Sequence, residues 1–317
     1  MADFGYICQV LSLVAAVWAI LASWLGYQNR YSDLVRSGER AAVAVGLLLT
    51  MSSLSLIYSF ITDDFSILYV AQNSTSSQPT VYKVSALWGG QAGSLLLWVW
   101  ILSVYSAIVV LQNRKRGREL MPAVTGTLMA VVTFFLILLQ FVSNPFAPSG
   151  QHIAEGAGLN PLLQNPFMAS HPPSLYLGFV GVAVPFAFGL AALLTGQLGN
   201  EWIVTIRRWS LFAWFFLGIG ILQGGYWAYV ELGWGGYWGW DPVENASLMP
   251  WLTLTAFIHS VMIQEKKGML KVWNMILIVM TFSSRRESAR WSWRCGNCSR
   301  SSVQKGCLNR LANGRYR

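Results

Sequence analysis

The sequence predicts an all-α protein built as a polytopic bundle of about seven to eight transmembrane helices. Of its 317 residues, 54% are hydrophobic and 11% are charged, whereas soluble domains carry about 25% charged residues. The chain contains several uncharged apolar segments that are long enough to cross the hydrocarbon core. That core is roughly 30 Å thick and takes about 20 helical residues to cross. These segments are expected to be helical, because backbone that faces lipid must satisfy its own hydrogen bonds.

The apolar pattern predicts seven complete spans and one partial span. The complete spans are 7–26, 41–61, 93–112, 121–142, 173–196, 209–230 and 247–264, and the partial one is 270–282. The first span is interpreted as a retained anchor and not as a cleaved secretory signal. No basic residue precedes it, and no small-residue cleavage pattern follows Trp24.

The positions of Lys and Arg orient the bundle. Basic residues cluster after the first, third and seventh spans and before the sixth, and short loops of this kind tend to stay in the cytoplasm. The N-terminus and the loops at 62–92, 143–172 and 231–246 are then predicted to lie outside. Lys83 is the single Lys or Arg in these three loops.

Of the formal net charge of +9, +8 comes from the C-terminal segment 283–317, which holds 8 Arg and 1 Lys against one Glu. We interpret 1–282 as the membrane domain and 283–317 as a basic tail that is disordered or read out of frame, or as the end of a split subunit. A basic tail of this kind does not require a nucleic-acid partner, and none is expected.

The third outer loop has an unusual composition, Trp234-Gly-Gly-Tyr237-Trp238-Gly-Trp240-Asp241. Its glycines let the backbone fold closely and leave ring faces open, which suits a flat apolar ligand with polar edges, such as a porphyrin. The plainer interpretation is an aromatic belt at the membrane surface. Asp241 and Glu244 are expected to cap a helix that starts near Ala246, because carboxylates favour helix N-termini.

The chain has three histidines. His171 precedes Pro172 at the outer end of the fifth span, and nothing distinguishes His152 from a solvated loop histidine. His259 is expected about 12 residues into the seventh helix, or roughly 18 Å below its start. An ionisable residue at that depth often marks function. Two interpretations of His259 stay open, a hydrogen bond to a neighbouring helix and axial ligation of iron.

Four stretches carry a family resemblance, at 82–98, 159–164, 171–176 and 231–259. They include Leu159-Asn-Pro-Leu-Leu-Gln164, His171-Pro-Pro-Ser-Leu-Tyr176 and Asn245-Ala-Ser-Leu-Met-Pro-Trp251. With them the chain resembles, over about residues 40–282, the CcmF and NrfE haem lyase family of bacterial cytochrome c maturation. That family lies within a wider haem-handling superfamily that includes CcsA.

The resemblance implies a haem-binding outer loop at 231–246. That loop would hold the haem to be attached, with His171 as an axial ligand and Trp234, Tyr237, Trp238, Trp240 and Asp241 around it. The resemblance also implies a b-type haem within the membrane, with His259 as its first ligand, that serves in reduction of the incoming haem iron.

The implied reaction adds the haem vinyl groups to the two thiols of a Cys-x-x-Cys-His apocytochrome c. No residue supplies an evident acid or base for that addition, so no catalytic residue is assigned, and positioning and redox control are expected. The chain would then be a haem lyase-type subunit of the bacterial inner membrane with its haem loop on the periplasmic side. Its implied partners are a haem chaperone, other maturation subunits, apocytochrome c and membrane lipid.

The sequence departs from the family pattern in two places. Tyr237 replaces the first ring of the family's Trp-Trp pair, and no histidine follows His259, although the family's second ligands lie further along the chain. Two other functions stay open. One is a membrane transporter of haem or another small molecule, although no matched pair of broken apolar segments is seen. The other is an inactive, truncated scaffold of the maturation complex.

Overall fold

A computed structural model describes residues 1–115, 117–197, 201–231, 236–240 and 242–283. Within these ranges the regular secondary structure is helical. The described residues form no strand, and one isolated bridge joins Ile67 and Pro148. The helices are α1 (Ala2–Gln28), α2 (Ser32–Ile61), α3 (Leu68–Asn73), α4 (Thr80–Ser85), α5 (Gln91–Gln112), α6 (Met121–Phe141), α7 (Pro166–Gly181), α8 (Ala183–Thr195), α9 (Glu201–Glu231), α10 (Pro242–Lys267) and α11 (Lys271–Ser283). Short 3₁₀ turns occur at Ala86–Trp88 and Pro161–Leu163.

The predicted all-α membrane bundle is confirmed. Seven candidate spans occur in the described ranges, and α11 is an apolar helix too short to be one of them. Helices α7 and α8 together form one span, Pro166–Thr195. The break at Val182 follows from Pro185, which has no N–H for the carbonyl of Gly181. The predicted tail lies outside the described residues from 284 onward.

Small residues bring α1 and α2 into close contact. A Cβ added at Gly38 would lie 2.8 Å from Ser23 Oγ, and such small-residue contacts are how membrane helices approach each other. The hydroxyl of Ser55 donates to the carbonyl of Met1 at 2.9 Å, and that of Ser52 donates to Gly5 at 3.0 Å. The N-terminus therefore lies beside the C-terminal end of α2.

Two loops, 62–90 and 143–165, form a cap over that end of the bundle. Their backbones are joined by hydrogen bonds such as Ala157 N–H to Ala71 O at 2.7 Å. Glu155 accepts hydrogen bonds from the Ser76 hydroxyl at 2.6 Å and from the Ser76 N–H at 2.7 Å. These bonds hold the pKa of the Glu155 carboxyl at about 2, well below its usual range.

The cap, the N-terminus and the C-terminal end of α9 lie at one end of the bundle. The Phe146 ring of the cap packs against Gly5, and Trp227 Nε1 near the end of α9 donates to Leu162 O at 3.2 Å. At the opposite end, Arg118 donates to Glu39 at 2.7 Å. The predicted loops thus share one end, as their alternation requires. The side of the membrane on which that end lies stays a prediction.

Candidate functional site

Glycines allow backbone contact between α7 and α9. A Cβ at Gly178 would lie 2.4 Å from Leu217 N, and one at Gly220 would lie 2.8 Å from Leu175 N. No larger residue fits at either position without moving a helix. This packing fixes α7, and with it His171 near its N-terminal end, against α9.

His171 is half-buried against α9. Its Nδ1 lies 2.7 Å from Gly220 O, and a carbonyl only accepts, so Nδ1 carries the proton and Nε2 keeps its lone pair. The ring covers Gly224, where an added Cβ would lie 2.6 Å from Cε1 and 3.1 Å from Nε2. Histidines that bind metal through one nitrogen commonly donate from the other to a carbonyl in this way.

As predicted, His171 lies near one end of the fifth span. The helix begins earlier than predicted, at Pro166 and not at 173, so His171 lies in its second turn. The helix starts early because Asn165 caps it, its side-chain oxygen accepting from Phe167 N–H at 2.8 Å. Proline then stands at the first helical position, where a missing N–H costs nothing. The side chain of Asn165 also donates to Glu231 at 2.6 Å, which joins the outer ends of α7 and α9.

The Trp-rich segment meets His171 on neighbouring residues of α9. The carbonyl oxygen of Tyr237 lies 3.0 Å from a Cβ built on Gly225, the residue that follows the glycine beneath His171. The Tyr237 ring stacks on Tyr229 with centroids 4.4 Å apart and planes 8° apart. The imidazole of His171 and the backbone of Tyr237 therefore contact two adjacent glycines of α9.

Trp238 and Trp240 extend this cluster. Their rings are 6.1 Å apart and nearly perpendicular. Trp240 is 71% exposed and has a φ of 55°, a left-handed conformation that is uncommon for a tryptophan and often accompanies function. Trp238 Nε1 is buried and has no hydrogen-bond partner among the described residues. Trp234 and Asp241, which the sequence also predicts here, lie outside the described residues.

The prediction of a helix starting near Ala246 is wrong, since α10 begins at Pro242. Glu244 lies in its first turn, and its carboxylate accepts from Gly239 N–H at 2.8 Å. Asn245 donates to Trp240 O at 3.0 Å. These two side chains hold the loop backbone over the start of α10, which sets the positions of the Trp238 and Trp240 rings.

His259 lies at a different level of the bundle. It is 17 residues after Pro242, roughly 26 Å along α10 at about 1.5 Å per residue, and not the 12 residues predicted. Its Nδ1 lies 2.8 Å from Thr255 O on its own helix, and the ring is exposed. Among the described residues, His259 forms this bond within its own helix and not with a neighbouring helix. Its Nε2 is therefore available as a ligand.

The turn before His259 is fixed against α9. Trp214 Nε1 donates to Thr255 Oγ1 at 2.8 Å, and the Trp214 ring stacks on Trp251 with centroids 5.6 Å apart. Trp214 and Gly224 are ten residues apart on α9, or roughly 15 Å. We call His171, Tyr237, Trp238 and Trp240 the outer cluster, after the side of the membrane predicted for this end of the bundle. The structure separates His259 from this cluster and leaves His152 exposed in the cap.

The pattern of the family described as "Cytochrome C assembly protein" matches residues 88–285. The chain belongs to this family. The predicted family resemblance is confirmed, and the match covers α5 to α11, which hold both the outer cluster and His259.

Similar proteins carry related names. The chain is 44% identical over 286 residues to the cytochrome c-type biogenesis protein CcmF of Pseudomonas aeruginosa and 43% identical over 281 residues to CycK of Rhizobium meliloti. It is also 41% identical over 282 residues to NrfE of Haemophilus influenzae. Each alignment covers 89% of this chain and 42% to 44% of the relative, so this cytochrome c assembly family member spans less than half the length of these relatives.

A solved structure supports the fold as well. The structure described as "Cytochrome c Heme Lyase CcmF" superposes with a TM-score of 0.81 at 30% sequence identity. The superposition covers 90% of this chain and 46% of that one. The helical arrangement of this family member is therefore that of a region of a haem lyase.

Sequence reasoning missed the glycine pair Gly224-Gly225 in this family member. Adjacent glycines inside a helix are unfavourable by about 1 kcal/mol each relative to alanine, which is the signal that could have marked a close contact. The residue that contacts these glycines lies on α7, so the local sequence of α9 cannot identify it.

Replacing Gly224 with alanine is expected to displace the His171 ring, because the new methyl group would lie 2.6 Å from Cε1. Overpacking of this kind costs about 1–3 kcal/mol, so we expect a lower thermal midpoint in detergent. Gly126, in α6, is the matched control, since no atom lies within 4 Å of its added Cβ. G126A is expected to be neutral or stabilising, and equal midpoints for the two variants would contradict the contact between His171 and Gly224.

Proposed function

We propose that this chain binds haem as a substrate at the outer cluster of His171, Tyr237, Trp238 and Trp240 and presents it for covalent attachment to apocytochrome c. One observation carries the proposal. The His171 ring packs on Gly224 and the Tyr237 carbonyl on the next residue, Gly225, so a proposed iron ligand and the Trp-rich segment contact the same turn of α9. Membership of the cytochrome c assembly family supports it.

The imidazole suits iron. Burial against α9 and the bond to Gly220 O at 2.7 Å hold the ring in one orientation, and a donated N–H makes the other nitrogen a better ligand. A histidine prepared in this way has little ordering entropy left to lose when it binds. Among the described residues, His171 can supply one axial ligand to a haem iron at this site.

The aromatic rings suit the macrocycle. Tyr237 is 57% exposed and Trp240 is 71% exposed, so both offer ring faces on which a porphyrin plane can stack. The buried Trp238 Nε1 has no hydrogen-bond partner among the described residues. A buried indole N–H without a partner is unfavourable, and a haem propionate would accept its hydrogen.

The chemistry of attachment needs little from side chains. Each thiol of the apocytochrome adds across one vinyl group, its sulfur bonding to one carbon and its hydrogen ending on the other, with no leaving group. Holding the two reactants at the right distance and angle can supply a large share of the acceleration. We assign that positioning role to His171 and the aromatic cluster.

We also propose that His259 ligates a b-type haem between helices. Its Nδ1 is held by Thr255 O at 2.8 Å, and its exposed Nε2 side fits an iron ligand. A b-type haem, when bound, supplies one-electron chemistry. The contact of Trp214 with Thr255 and Trp251 fixes the helical turn that carries the ligand.

The location and partners follow from the same proposal. We place this multi-pass membrane protein in the bacterial inner membrane with the cap and the Trp-rich segment on the periplasmic side, where Lys and Arg are scarce. A haem chaperone, apocytochrome c and other maturation subunits are the proposed partners. The relatives, which are named for cytochrome c-type biogenesis, support this assignment.

The test is the haem content of the purified chain after expression in haem-replete cells. The wild type is expected to show a Soret band. In an H259A background, which removes the proposed b-type haem, W238A/W240A is expected to lower the remaining haem at least fivefold, because the stacking surface is lost. W18A/W24A is the matched control, since Trp18 and Trp24 are exposed on α1. A colourless wild type would reject haem binding and favour transport, and equal haem in both double variants would reject the cluster as the binding surface.

A further inference from the structure

A second site lies at the end of the bundle opposite the cap. A cavity of about 530 Å³ is formed by the first turns of α2, the last turn of α5 and the segment after it. Its charged lining consists of four arginines, Arg36, Arg40, Arg114 and Arg118, and one carboxylate, Glu39. Ligand sites have volumes of about 300–1,000 Å³, so the cavity is large enough for a ligand.

The positive charge of this cavity is largely unbalanced. Glu39 is buried and accepts from Arg118 at 2.7 Å. Arg36 lies 3.4 Å from Asp33, but both side chains are exposed, and water screens such pairs. In the described ranges, no carboxylate oxygen lies within 4.0 Å of the guanidinium of Arg40 or Arg114. Two arginines therefore face the cavity without an anionic partner.

The rest of the lining is apolar and runs toward the middle of the membrane. Arg36, Arg40, Val43 and Leu47 follow one stripe of α2, because residues three and four apart share a helix face. Leu47 is 61% exposed, and Val110 lines the facing side. At the level of Gly46 an added Cβ would lie 3.3 Å from the Cβ of Ala107, so α2 and α5 meet closely and leave a groove along their junction.

We infer that this cavity binds the headgroup of an anionic phospholipid with two phosphodiesters, such as cardiolipin, and that its acyl chains follow the groove at Val43 and Leu47. Guanidinium forks pair with phosphate oxygens through two parallel hydrogen bonds. A basic pocket between helices at the cytoplasmic end of a membrane protein is the setting in which such headgroups bind. A soluble phosphate compound has no acyl chains and would leave the apolar stripe without a binding partner.

The orientation rule alone does not explain the arrangement. It accounts for Lys and Arg at this end of the bundle, but not for the convergence of four arginines on one cavity with an apolar groove beside it. Arg208 and Lys267 are exposed at the same end and are not part of the lining. The inference does not depend on haem.

The test measures lipid that stays bound to the chain through purification in mild detergent, by extraction and mass spectrometry. The wild type is expected to retain cardiolipin in preference to phosphatidylcholine, and R40Q/R114Q is expected to retain at least fivefold less. R208Q/K267Q removes the same charge at the same end and is expected to match the wild type. Unchanged retention in R40Q/R114Q, or an equal loss in the control, would overturn the inference.

A second measurement separates the lipid from free phosphate. In nanodiscs, cardiolipin added to phosphatidylcholine is expected to raise the thermal midpoint of the wild type and not that of R40Q/R114Q, and a rise produced equally by inorganic phosphate would reject the lipid. If R40Q/R114Q does not fold, R40K/R114K decides the matter, because it keeps the charge and removes the planar fork. A weaker preference for cardiolipin over phosphatidylglycerol in that variant supports the inference, and an unchanged preference contradicts it.

Discussion

Replacing His171 with alanine is expected to lower the haem held at the outer cluster at least tenfold. The substitution removes the imidazole that packs on Gly224, next to the glycine that contacts Tyr237, and it leaves the aromatic rings in position. All chains compared carry H259A, which removes the proposed b-type haem, and haem is measured by the pyridine haemochrome method on purified protein together with the absorption spectrum. Free imidazole in the buffer is expected to restore part of the signal, because it can enter the space beside Gly224 and ligate iron.

His152 provides the control for this experiment. It is an exposed cap histidine, so H152A removes the same side chain from the neighbouring loop and is expected to keep the haem content of the wild type. Loss of the bond from His171 to Gly220 O is worth about 1 kcal/mol, and H171A should therefore fold with a slightly lower thermal midpoint. Equal haem content in H171A and H152A would contradict the assignment of His171 as a haem ligand.

Replacing His259 with alanine is expected to abolish the spectrum of a membrane-embedded b-type haem. The ring is exposed, and its hydrogen bond is to its own helix, so its removal leaves the packing of α9 and α10 in place. The thermal midpoint is expected to stay near that of the wild type. The reduced-minus-oxidised difference spectrum of the purified chain is the measurement, and an unchanged b-type signal would contradict the ligand assignment.

Thr255 separates ligation from packing at this position. T255A removes the hydroxyl that accepts from Trp214 at 2.8 Å and keeps the backbone carbonyl to which His259 donates. We expect T255A to lose about 1 kcal/mol of stability and to keep the b-type signal. A variant set in which T255A loses haem and H259A retains it would indicate that the helix contact, and not the imidazole, controls the spectrum.

The H171A and H259A effects are expected to be separable. Their contacts on α9, at Gly224 and Trp214, are roughly 15 Å apart along the helix, and sites at that distance usually act independently. H171A should therefore leave the b-type difference spectrum intact, and H259A should leave the outer cluster able to hold haem. Full loss of both signals in either single variant would mean that one haem site had been mistaken for two.

Local sequence predicted the helix ends poorly. The apolar run predicts a fifth span from 173, but α7 begins at Pro166 because Asn165 caps it and proline suits the first helical position. The seventh helix likewise begins at Pro242, four residues before the predicted start. Hydropathy indicates which residues lie in the hydrocarbon core. A helix can extend beyond those residues and ends where capping groups satisfy its terminal N–H and C=O groups.

The sequence by itself determined the membrane class, the number of spans, the alternation of the loops and the residue types suited to haem. These follow from hydropathy, charge and composition, which are local properties of the chain. Only the tertiary structure decided that His171 and Tyr237 contact adjacent glycines of α9, that His259 lies at another level, and that arginines from α2 and the segment after α5 line one cavity. Those contacts join residues far apart in the chain, and their geometry depends on how closely glycines allow helices to approach.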